Sequence, residues 1–209
     1  MRGLGEFITS ALYRYPRDPT LELCLGVYHE RVARFAVVDE SLAPDIYPWD
    51  LVQESRRKLQ KALDAYEEAA KAPELAGEAH LRMGRIRAEL GDLKHARQEL
   101  DPLAASGQPP FTRYLALLLL GKVDELDKKP EAAVARYRDA LALFPASQAP
   151  FVALSRLADE RGDVAGARDW LERSFALTTG QRADPWWVYN APFVATKAIV
   201  ASLRRQIAK

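Results

Sequence analysis

Small residues recur in this 209-residue chain at the period of a helical repeat, and that recurrence restricts the fold more than any other feature. Ala62, Ala96, Ala133 and Ala167 follow one another at spacings of 34, 37 and 34 residues. Twelve residues before the last three stand Gly84, Gly121 and Ser155. After Ala133 come Tyr137, Ala140 and Pro145: an aromatic residue, a small one and a helix-closing proline. Gly91-Asp92 and Gly162-Asp163 mark tight turns within two of the units, and the insert Ser106-Gly107-Gln108-Pro109-Pro110 accounts for the longer spacing. Each unit therefore reads as two amphipathic helices joined by a short turn. Small residues let the paired helices approach, while Leu100, Tyr137 and Leu171 are expected to fill the space toward the next pair.

These residues resemble the tetratricopeptide repeat family, whose 34-residue units carry a Leu-Gly pair in the first helix and Ala, aromatic and Ala-Pro signals in the second. Residues 114–147 match through Leu120-Gly121, Ala133, Tyr137, Ala140 and Pro145; residues 77–110 keep Gly84, Gly91-Asp92 and Ala96; residues 148–181 keep Phe151, Leu154, Gly162-Asp163, Ala167 and Leu171. The resemblance implies an all-α fold, a right-handed α-solenoid of helix hairpins. It would have a divergent N-terminal helical segment (1–49), repeats over 50–181 and an aromatic turn with a C-terminal capping helix (182–209).

A further, degenerate unit is suggested by Ala62, Tyr66 and Ala69 on a helix from about Asp50 to Lys71. Pro44 and Pro48 interrupt the adjoining stretch, so its partner helix is expected at 20–40, where Leu21, Leu25, Tyr28, Val32 and Phe35 fall at helical spacing, leaving 41–49 as a long loop. Near the other end, Asp184-Pro185 is a helix-start signal ahead of Trp186, Trp187 and Tyr189. Phe193, Ile199, Val200, Leu203 and Ile207 then give one apolar face to a helix over about 192–207, as a terminal cap requires. The Asp-Pro-Trp-Trp-x-Tyr ending is similar to that of uncharacterised bacterial tetratricopeptide proteins.

Thirty Lys and Arg against 29 Asp and Glu leave a formal charge of +1, so no global field draws the chain to nucleic acid or anionic lipid. The single cysteine, Cys24, lies in an apolar stretch and reads as a buried thiol. The six-residue apolar run Leu115 to Leu120 is far short of the roughly 20 residues that span a bilayer. Met1 to Tyr15 lacks the apolar core of a secretory signal. A cytoplasmic protein is expected, with an exported origin left open if Met1 was added to a processed chain. His29, His80 and His95 show no zinc-ligand spacing, and no phosphate-binding loop, dinucleotide fingerprint or nucleophile elbow occurs. Neither catalysis nor a cofactor or metal is expected.

What the resemblance implies instead is protein-protein interaction: a peptide or helix of a partner, acidic or amphipathic, lying in a concave groove lined by the first helix of each pair. Leu81, Leu118 and Val152 would form its apolar floor, and Arg85, Lys122 and Arg156 a basic stripe. The same cations also stand three or four residues from Glu89, Glu125 and Glu160, so intrahelical ion pairs are the competing reading. Trp186, Trp187 and Tyr189 cannot all enter one core, which makes them candidate docking aromatics. The alternative to an adaptor or assembly factor is a permanent structural subunit of a larger complex, docked through the N-terminal segment and this aromatic C-terminus.

Overall fold

The computed structural model of the chain describes residues 2–38, 48–177 and 184–190. It is all-α, with no strand among the described residues. Its helices are α1 (Arg2–Arg14), α2 (Pro19–Val38), α3 (Pro48–Ala69), α4 (Pro73–Glu89), α5 (Leu93–Ala104), α6 (Pro110–Leu126), α7 (Pro130–Leu143), α8 (Gln148–Glu160), α9 (Val164–Ala176) and α10 (Pro185–Asn190). α2, α3, α4, α6, α7 and α10 each begin on a proline, whose fixed φ suits the first helical turn and whose missing N–H is an orphan there in any case. None of the described helices is long and apolar enough to cross a membrane. The expected loop at 41–49 falls largely outside the described residues, and Pro48 already opens α3. The expected capping helix at 192–207 also lies outside them.

Two compact units divide the chain, Met1–Glu99 and Leu100–Lys209, with the division falling inside α5. In the first, α2 packs against α3, α3 against α4 and α1 against α2. α2 is thus the partner helix expected at 20–40 for the helix that carries Ala62, Tyr66 and Ala69. Ala62, Tyr66 and Ala69 of α3 are fully buried in a core with Ala33, Leu63, Met83 and Ile86. The Tyr66 ring lies directly against Gly26 of α2, leaving no room for a β-carbon there. Cys24 is buried in this unit, and burial above all pushes its thiol up to about 12.

In the second unit α6 pairs with α7 and α8 with α9, and α7 packs on α8. Every residue of α6 from Tyr114 to Gly121 is buried, the pattern of a helix surrounded by protein. A β-carbon at Gly121 would stand 2.5 Å from the Tyr137 ring, so this glycine is what admits the aromatic of α7. Where the repeat puts Ser155 in the glycine place, its hydroxyl donates to the Ala167 carbonyl of α9 at 2.8 Å, and the close approach is kept by a hydrogen bond. Leu171 departs from expectation: it is exposed rather than packed, since no further helix among the described residues covers that side of α9.

The turns inside the hairpins share one construction. Gly91 (φ 86°) and Gly162 (φ 77°) take the left-handed conformation after α4 and α8, and the next residues, Asp92 and Asp163, accept hydrogen bonds from the His95 and Gly166 amides opening the following helix. Between α6 and α7 the left-handed position is held by Lys128 (φ 58°), a residue for which that conformation costs roughly 1–2 kcal/mol. Lys128→Gly is therefore expected to raise the unfolding free energy by about 1 kcal/mol, less the glycine's own entropy cost. Urea denaturation followed by circular dichroism reads the change, and an unchanged or lower midpoint would contradict it.

Candidate functional site

A leucine-glycine pair followed four residues later by glutamate occurs in both units, as Leu25-Gly26 with Glu30 and Leu120-Gly121 with Glu125. One helical turn separates each glycine from its glutamate, so both face the partner helix. In the first unit Glu30 is 3% exposed and accepts a hydrogen bond from Tyr66 Oη at 2.8 Å. In the second, Glu125 accepts one from Tyr137 Oη, also at 2.8 Å. The tyrosine that fills the space left by the glycine thus delivers its hydroxyl to a carboxylate on the same helix.

Each carboxylate also gathers cations from the first helix of the next hairpin. Arg82 and Arg85 of α4 reach Glu30 at 3.1 and 3.9 Å, joined by Arg34 of α2 at 2.9 Å. Arg156 of α8 bonds Glu125, as does Lys122 at 2.9 Å. Burial on its own would push both carboxyls up, but the surrounding groups outweigh it. Arg82, Arg34, Arg85 and Tyr66 hold Glu30 below the usual carboxylate range, and Lys122, Tyr137 and Arg156 do so for Glu125. The phenol of Tyr137 is driven the other way, first by burial and then by Glu125, so it stays a proton donor.

The residues expected to line a groove are placed unequally by this arrangement. Leu81 and Leu118 are buried, in contrast to the open floor expected of them. Val152 is 50% exposed and stands one turn before Arg156 on α8. Arg85 is paired with Glu89 and Glu30, Arg156 with Glu160 and Glu125, and Lys122 with Glu125. Lys122 and Arg156 thus converge on one carboxylate, giving α6 and α8 a mixed-charge surface beside Val152.

Of the aromatic ending, Trp187 is 53% exposed, Tyr189 is buried and Trp186 lies between, its ring 6.1 Å from that of Tyr189. Asp184, just before them, is 1% exposed. Its carboxylate accepts from Tyr114 Oη of α6 (2.6 Å), from the Ala149 amide at the start of α8 (2.7 Å) and from the Trp186 amide of α10 (2.8 Å). A negative charge at two helix N-termini is favourable, and here it ties α10 to the ends of α6 and α8. Burial first, and then the bond to Asp184, push the Tyr114 phenol up.

Two of the three histidines are engaged locally. His80 pairs with Glu99 at 2.6 Å and His95 with Asp92 at 2.7 Å, while burial first, and then Lys58 and Lys61, push the His29 imidazole below its ordinary pKa. Among the described residues no group of three or more His, Cys, Asp or Glu could hold a metal ion. No protein-family model matches the chain, and no curated protein does.

Sequence reasoning located Tyr66, Tyr137, Arg85, Lys122 and Arg156 but missed the buried-acceptor role of Glu30, of Glu125, which it named only as an ion-pair partner of Lys122, and of Asp184, which it named only as a helix start. The shared Leu-Gly-x-x-x-Glu spacing was the signal for the first two. Because both glutamates titrate below their unfolded value of about 4.3, the stability they contribute is fully present above that pH. It is lost as pH falls from there through their lower folded values. Glu125→Gln should lower stability at pH 7 and flatten the loss of stability that sets in as pH falls below the ordinary carboxylate range, measured by urea midpoints across pH. A variant with the wild-type acid slope would contradict the assignment.

Proposed function

We propose that this chain is a non-catalytic scaffold of the tetratricopeptide type, and that it holds a peptide or helix of a partner protein against the first helices of its hairpins. The observation that carries this reading is the recurrence of one hairpin design in both units, glycine under tyrosine with the hydroxyl on a first-helix glutamate. Repetition of that kind serves to present first helices in a fixed register, and extended surfaces of repeat proteins bind other chains.

Within the second unit, the surface formed by Val152, Lys122 and Arg156 favours an amphipathic partner over a strongly acidic one. An incoming carboxylate would have to displace Glu125 or Glu160 from cations they already engage. A net charge of +1 gives no support to nucleic acid as the partner.

A permanent structural subunit is the second reading. Its support is the exposure of Phe7, Tyr13 and Tyr15 at the N-terminal end and of Trp187 on α10, large aromatic surfaces of the sort that anchor stable interfaces.

A photo-crosslinking residue at Val152, expressed in the native cell, separates the two. The scaffold reading expects a discrete adduct with another protein at Val152, and loss of that protein's co-purification when a tagged chain carries Val152→Glu in place of the crosslinking residue. Adducts formed from Tyr13 and Trp187 but none from Val152 would favour the subunit reading instead.

A further inference from the structure

The first unit holds a cavity of about 600 Å³ between α1, α2 and α3, within the size range of small-molecule sites. One wall is a face of α1, on which Glu6, Thr9 and Tyr13 stand at i, i+3 and i+7. Tyr28 and His29 of α2 and Lys58 of α3 form the other. Gly5 seats α1 closely on α2 at this point, since a β-carbon there would stand 2.5 Å from the Tyr28 ring.

The two walls differ in chemistry. Glu6 is exposed and engages no cation among the described residues. The Thr9 hydroxyl spends its hydrogen on the Gly5 carbonyl at 2.8 Å, which leaves its oxygen as an acceptor. The α1 wall therefore accepts. On the other, Lys58 and Lys61 add to burial in lowering the His29 pKa, and the Lys58 ammonium pairs with Glu54 of its own helix at 3.2 Å. His29 Nδ1 is buried with no hydrogen-bond partner among the described residues, an unfilled polar position at the cavity wall. This wall offers an ammonium and an imidazole. Tyr13, 90% exposed, and Tyr28 add an aromatic face from each side.

We propose that this cavity binds an aromatic α-amino acid, its ammonium toward Glu6 and Thr9, its carboxylate toward Lys58 and His29, and its ring against Tyr13 and Tyr28. A zwitterion meets both walls at once, whereas a plain anion leaves Glu6 unmatched and a plain cation leaves Lys58 so. Each charge of the ligand then makes a charge-assisted hydrogen bond, and the tyrosines supply stacking and, for the ammonium, a cation–π contact. The site shares no residue with the surface around Val152 and does not rest on the scaffold reading.

The test is calorimetric titration of the full-length chain with L-phenylalanine and L-tryptophan, each beside its decarboxylated amine and its deaminated propionate. At least one amino acid is expected to bind with a Kd of about 1 mM or tighter, and its two one-charge analogues about tenfold more weakly. E6Q should weaken the amino acid about tenfold and leave the propionate unchanged, while K58M should weaken the amino acid and leave the amine unchanged. No binding of either amino acid at about 10 mM would overturn the proposal, as would unchanged affinity in both variants. An amine or a propionate that binds as tightly as its parent amino acid would also overturn it, by marking a site for a single charge. Should a variant fail to fold by circular dichroism, the ligand series on the unaltered chain decides alone.

Discussion

A carboxylate under a tyrosine hydroxyl, with arginine arriving from the next hairpin, is the interaction on which the rest of this structure depends. Glu30 and Glu125 each receive a phenol from the helix they pair with and a guanidinium from the helix that follows. Desolvating a carboxylate is costly, so the arrangement stabilises only when all its partners are in place, and removing one strands the others. That all-or-none character makes it a register device: a helix slipped by one residue loses every bond. Gly26 and Gly121 are part of the same device, since a side chain there would hold the tyrosine ring away from its glutamate.

The same pairing shapes what the surface can bind. Lys122 and Arg156, read from sequence as a basic stripe, are engaged with Glu125 and Glu160, with the half-exposed Val152 one turn before Arg156. Asp184 performs a comparable task at the other end of α6 and α8, where three donors from three helices meet one buried carboxylate. The aromatic pair that follows it is divided accordingly, with Tyr189 inside and Trp187 outside.

Much of the fold was legible because its signals are local. Pro185 announced a helix start and Gly-Asp pairs the turns, and alanines at fixed spacing marked the buried faces, whereas Pro48 and Pro110, read as loop and turn, open α3 and α6. Tyr66 was recognisable from Ala62 and Ala69 beside it, and its partner helix from helical spacing over 20–40. Glu30 escaped because 36 residues part it from Tyr66, against 12 between Glu125 and Tyr137, so the parallel between the hairpins was hidden. Asp184 escaped for the same reason, its partners lying 70 and 35 residues away. Leu81, Leu118 and Leu171 were misplaced relative to solvent because a repeat register tells which way a residue points, not whether another helix lies there. Lys128 shows the converse: the turn is kept although its glycine is not.

The most direct measurement is a double-mutant cycle between Glu125 and Arg156, using Glu125→Gln and Arg156→Met singly and together, with stabilities from urea denaturation at pH 7. If the carboxylate joins consecutive hairpins as described, the two changes will be non-additive by about 1 kcal/mol or more, within the range found for groups in one network. Additive losses would mean that Glu125 and Arg156 act independently, and the central claim would fail.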